Sequence, residues 1–141
     1  MAAVVERAEQ KIAGCVFGRL GGMLMNTVLC RLKEEGCNID QGLESCCGNE
    51  DRYLRRLRRF AESRFLDKQE EAYRSHNIER CRMYAHTMSA EYYNLGLDAL
   101  YYLNSCILEM RDAAQLPELG EVLSCLRDKY NKYVSIIKSP T

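Results

Sequence analysis

The amino-acid sequence predicts an all-α protein: a long antiparallel helical hairpin with additional helices packed against it as a bundle. Three observations carry this expectation. Between Gly48 and Gly96 the chain contains neither glycine nor proline, so no residue there forbids continuous helix. From Ile78 onward apolar residues recur every seven positions, the spacing of a helix made to lie along another helix. No run of alternating polar and apolar residues is bounded by turn signals, so no strand is expected.

Length and composition set the bounds. The chain has 141 residues, 47% of them hydrophobic, enough for one domain with an ordinary core. Lys plus Arg number 20 and Asp plus Glu number 20, so no global field draws the protein to nucleic acid and any electrostatic function must be local. Eight cysteines would suit a disulfide scaffold in a small secreted protein, but Met1 to Gln10 include Glu6, Arg7 and Glu9 and do not read as a secretory signal. A reducing compartment is expected, with thiols such as Cys81, Cys106 and Cys125 acting as small buried hydrophobes.

Three segments follow from the pattern: an N-terminal helical segment over 1–50, the hairpin over 51–115 and a C-terminal helix over 116–141. The first helix spans about Val4 to Glu35 and closes at Gly36, a residue free to adopt a left-handed terminal conformation. Asn38 supplies an N-cap for a short second helix that ends near Cys47, before a Gly48-Asn49 turn. The first arm of the hairpin, Arg52 to Tyr73, carries Leu54, Leu57, Ala61, Phe65 and Ala72 as a narrow apolar stripe between charged faces. Ser75-His76-Asn77 provides the turn, because short polar side chains cap helices and bend chains.

The second arm has the cleanest pattern. Ile78, Ala85, Tyr92, Ala99, Cys106 and Ala113 fall seven apart, and Cys81, Met88, Leu95 and Tyr102 fall three after the first four of them. Ala85, Tyr92 and Ala99 are therefore expected at a helix-packing interface. The final helix opens with Pro117 and Glu118, suited to a first turn, and presents Leu119, Val122, Leu126, Tyr130, Tyr133 and Ile137 on one side.

Two motifs point to binding. Arg52, Arg55, Arg56, Arg58 and Arg59 lie within eight residues that hold no acid, a cluster able to contact lipid phosphates or an acidic partner. Pairing with the chain's own acids, such as Glu70 and Glu71, is the plainer role for it. Nucleic acid is disfavoured, since no second basic stripe or stacking platform accompanies the cluster. Gly14, Gly18 and Gly22 recur every fourth residue and let two helix backbones approach closely. Arg19 in the middle of that segment argues for a soluble packing helix or a surface anchor over a membrane span.

Catalysis and cofactors have little support. His76 and His86 are the only histidines, and neither a nucleophile with its base nor a phosphate-cradling glycine loop is present. No close-spaced Cys or His pairs converge as zinc ligands, so no metal and no cofactor is expected. Cys37 and Cys47, with Cys46 adjacent, are spaced like the cysteines of oxidised helical hairpins of the mitochondrial intermembrane space, but that scheme needs a second pair, which the sequence does not hold.

Residues Asn77-Ile78-Glu79-Arg80-Cys81-Arg82-Met83-Tyr84-Ala85 carry a family likeness. Residues 52–115 resemble the helical hairpin of the charged multivesicular body proteins of the ESCRT-III family, in which a basic first helix turns at an Asn and the second helix opens with such a segment. The resemblance implies a hairpin that assembles side by side on anionic membranes and is remodelled by an ATPase. Arg55, Arg56, Arg58 and Arg59 would match the membrane-facing helix. A cytoplasmic protein, peripheral on endosomal membranes, goes with it. The chain differs from that family in the roughly fifty residues before the hairpin and in ending at Ile136-Ile137-Lys138-Ser139-Pro140 where the family has an acidic tail. The expected function is thus a non-enzymatic scaffold that binds partner helices or itself, together with an acidic surface. The competing expectation is a small structural subunit of a large complex, mitochondrial in location.

Overall fold

The computed structural model describes residues 26–139, and every described element is helical. In order these are α1 (Thr27–Glu34), α2 (Ile39–Ser45), α3 (Glu50–Ala61), α4 (Phe65–Arg74), α5 (Ile78–Asn94), α6 (Asp98–Glu109), a 3-10 turn (Ala113–Gln115) and α7 (Leu116–Ile137). The all-α bundle expected from the sequence is the architecture found. The glycine ladder of Gly14, Gly18 and Gly22 lies outside the described residues.

Four helices make the centre. α4 packs on α5, α5 on α6, α6 on α7, and α7 returns to α4, while α1 and α3 lie along α7 and α2 sits on α5. Their apolar faces meet in one core, in which Tyr53, Tyr92 and Tyr133 are the largest fully buried side chains. Two buried amides tie three of the helices together. Gln69 donates to the Cys81 carbonyl at 3.2 Å, and Asn104 donates to the Ala85 carbonyl at 2.6 Å and to Ser89 Oγ at 3.2 Å. A satisfied polar network of this kind fixes register, because any slip leaves its members buried and unpaired.

Helix starts and stops obey local chemistry. Asn26, Asn38, Asn49 and Asn77 each accept from a first-turn backbone N–H, those of Val28, Gln41, Arg52 and Arg80. The turn at Ser75-His76-Asn77 is present: His76 has φ +58°, its N–H donates to the Tyr73 carbonyl, and the Asn77 N–H donates to the Ala72 carbonyl. That double bond pattern closes an α-helix at a left-handed residue. α7 begins at Leu116 with Pro117 in its first turn, as its sequence requires.

Each expected arm of the hairpin is, however, two helices. The first divides at Glu62-Ser63-Arg64, where Ser63 Oγ accepts from the Phe65 N–H and the Tyr130 hydroxyl donates to the Ser63 carbonyl at 3.1 Å. The second divides at Leu95-Gly96-Leu97, so the seven-residue repeat is shared between two antiparallel helices. Ala85 and Tyr92 belong to α5 and Ala99 to α6, and all three are buried within the chain itself. Their interface is therefore internal. A left-handed Gly96 stops α5 locally, and tertiary bonds hold the break: Asn38 N–H donates to the Gly96 carbonyl at 2.7 Å, Tyr53 to the Leu95 carbonyl at 2.6 Å and Ser45 to the Asn94 carbonyl at 2.7 Å. The last carbonyls of α5 thus find partners on α2 and α3 that a continuing helix would have supplied itself.

Candidate interaction site

The helix α3 is built to present charge. Asn49 caps it, Glu50 and Asp51 occupy the positive end of its dipole, and Arg58 and Arg59 occupy the negative end. Tyr53, Leu54, Leu57, Phe60 and Ala61 turn inward and are buried. Arg52, Arg55, Arg58 and Arg59 are consequently forced outward, and all four are exposed. Asp51 and Glu62 flank them at the two ends of the same side.

Arg56 behaves differently. It is only partly exposed, forms an ion pair with Glu91 of α5 at 3.4 Å and approaches the Cys46 thiol at 3.9 Å. The five-arginine cluster read from the sequence therefore separates into one structural and four outward members. Among the described residues none of those four has an acidic partner within ion-pair distance. Glu70, which the sequence offers as a partner for them, is held by Arg127 of α7, whose Nε donates to Glu70 Oε2 at 3.1 Å and whose Nη2 reaches Asp67 at 2.6 Å. Glu71 is exposed.

Beside the arginine face lies an open groove of about 390 Å³, bounded by the C-terminal half of α3, the α3–α4 connection and the middle of α5. Phe60, Phe65 and Met88 supply its apolar lining, while Arg59 and the Arg56–Glu91 pair stand at its rim. The sequence gives no sign of this groove. Phe65 and Met88 read there as members of two apolar stripes, and only the break at Glu62-Ser63-Arg64 swings Phe65 beside Met88. A serine amid charged residues, Ser63, is the one local hint of that break.

Other groups named from the sequence have quieter surroundings. His76 and His86 are both exposed. Cys37, Cys46 and Cys81 are buried and Cys47 is exposed, all as free thiols. Burial pushes the Cys37 thiol up to about 12 and the Cys81 thiol up to about 11, which keeps both protonated and unreactive near neutral pH. Among the described residues no group of three or more His, Cys, Asp or Glu is placed to hold a metal ion, and no helix is long and apolar enough to cross a membrane. No protein-family model matches the chain, and no curated protein or solved structure matches it.

Proposed function

We propose that this protein is a non-catalytic helical adaptor that docks an acidic partner protein through the outer side of α3. The observation that carries the reading is the set of four exposed arginines, Arg52, Arg55, Arg58 and Arg59, none of which has an acid within ion-pair distance among the described residues, although Asp51 and Glu62 stand at the two ends of their side. Like charges crowded on one helix repel each other, and a carboxylate-bearing surface relieves that repulsion while filling the forked donors of each guanidinium. Such a rim of charge sets encounter rate and orientation more than raw affinity.

A membrane is the poorer match. Leu54, Leu57 and Phe60 face the core, so α3 offers the bilayer no apolar side chain. Attraction to anionic lipid would rest on charge alone, about 1 kcal/mol for each arginine near the surface. The ESCRT-III-like form of the reading, in which the acidic surface is an endosomal membrane, depends on that term.

The test uses the full chain with two probes, labelled polyglutamate and phosphatidylserine vesicles. Binding of polyglutamate that weakens with salt and disappears in the triple variant Arg52→Glu, Arg55→Glu, Arg58→Glu, with helical circular dichroism unchanged, is the expected outcome. Binding that survives the triple variant, or none at low salt, removes the proposal. Vesicle binding in place of polyglutamate binding transfers it to the membrane form.

A further inference from the structure

We propose that the groove beside α3 receives a large apolar side chain from an acidic amphipathic helix of a partner protein. This rests on the adaptor reading above and specifies the partner's chemistry.

The groove is formed before any partner arrives. Phe60 is held edge-on between Tyr92 and Tyr130, with ring centroids 6.1 and 5.3 Å away, and Phe65 is held edge-on against Tyr84 at 6.3 Å. Rings fixed in this way cannot fold over to fill the space, and a preformed site avoids the ordering cost that weakens flexible ones. Its volume of about 390 Å³ suits one or two large apolar side chains, and falls in the lower part of the range of roughly 300–1,000 Å³ common for ligand sites.

Charge around the groove selects the flanking residues. Arg59 stands at the rim without an acidic partner among the described residues, Arg55 and Arg58 continue the positive side away from it, and the Lys68 ammonium lies 5.5 Å from the Phe65 ring centre. Among the described residues Glu91 is the one acid in the lining, and its pair with Arg56 is long at 3.4 Å, with 32% and 37% of the two side chains exposed. An ion pair that open to solvent contributes little, so an incoming carboxylate can take Arg56 from Glu91. The complementary ligand carries an apolar anchor with carboxylates one helical turn to either side, the spacing at which helix residues share a face. A bilayer does not meet this description, because the apolar lining is recessed behind the arginines.

The experiment measures fluorescence anisotropy of two labelled peptides with the full 141-residue chain at about 0.15 M salt, where long-range charge effects are screened beyond roughly 8 Å. Both are helix-forming, equal in length and in glutamate content. One carries Leu and Phe anchors a turn apart, the other Ser at the same places. The anchored peptide binds at least about tenfold more tightly if its side chains are buried. Thr87, exposed on the groove wall, provides a blocking position that does not touch the core, and Thr87→Gln abolishes that difference. Glu91→Gln frees Arg56 and strengthens binding of the anchored peptide. Equal binding of both peptides to the wild-type chain, or a preference that persists in Thr87→Gln, overturns the groove while leaving the adaptor reading in place. Failure of both peptides and of polyglutamate overturns the two together.

Discussion

At the corner between α4 and α5, His76 adopts a left-handed conformation on an exposed turn, and at the corner between α5 and α6, Gly96 adopts one against another part of the chain. The hydrogen bonds that close the two helices are equivalent: His76 and Gly96 each donate to the residue three back, and Asn77 and Leu97 each donate to the residue five back. Their surroundings are opposite. A side chain sits at position 76 without obstruction, whereas a Cβ on Gly96 would come within 2.0 Å of the Asn38 carbonyl oxygen. One corner is set by its own residues. At the other a left-handed glycine closes α5, and the docking of α2 and α3 onto it leaves no room for a side chain, so α5 ends although its heptad pattern continues.

Substituting the glycine should break the docked corner with the largest effect. Gly96→Ala combines an unfavourable left-handed backbone with a clash against backbone that cannot rotate away, and is expected to cost about 3 kcal/mol or more in denaturant unfolding. A loss under about 1 kcal/mol would mean that Asn38 yields easily and that the corner is not docked as described.

Tyr53→Phe is the next test. It removes the hydroxyl that donates to the Leu95 carbonyl at 2.6 Å and leaves that buried acceptor unpaired, at an expected cost of about 2 kcal/mol. A thermal midpoint equal to that of the wild type would show that the carbonyl has another partner.

Alkaline titration compares the two corners through their thiols. Cys37 precedes Asn38 at the docked corner and Cys81 lies in the α4–α5 hairpin, hydrogen-bonded to the Gln69 carbonyl at 3.4 Å. Burial raises both above the ordinary thiol value of 9.0, to about 12 and about 11. Above pH 9 the unfolded chain releases these protons and the folded chain keeps them, so stability is complete below pH 9 and falls as pH rises toward the folded values. The slope approaches about 1.4 kcal/mol per pH unit for each thiol. Cys37→Ala should flatten this decline up to a higher pH than Cys81→Ala does, as read from melting at a series of pH values. Identical alkaline limbs would mean that the two sites are equally buried from solvent.

The smallest effect belongs to the open corner. His76→Gly relieves a left-handed non-glycine residue but loosens the unfolded chain, so a change within about 1 kcal/mol is expected. A large loss would show that the His76 side chain has a structural partner.

Local features are legible in the sequence. The stop at Gly36, the Asn38 cap, the Gly48-Asn49 turn, the bend at Ser75-His76-Asn77 and the start of the last helix near Pro117 all depend on residues within a few positions of one another. The apolar face of the last helix is likewise visible, and its six named residues are all buried. The arginine cluster was legible as composition but not as a site. Whether an arginine on α3 is free or paired depends on where α5 places Glu91 and where α7 places Arg127, neither of which is near it in the chain.

The sequence alone thus determined the all-α class, the caps and turns, and the presence of an arginine cluster, because periodicity, capping and composition are properties of neighbours along the chain. Only the tertiary structure decided that the first expected arm divides at Ser63, that the break at Gly96 is held by α2 and α3, that Arg56 is tied and that a groove opens beside Arg59. Those outcomes turn on Tyr130 meeting the Ser63 carbonyl and on Tyr53, Ser45 and Asn38 meeting the end of α5. Hydrogen bonds between residues more than thirty positions apart leave no period in the sequence. They arise only once the helices have packed.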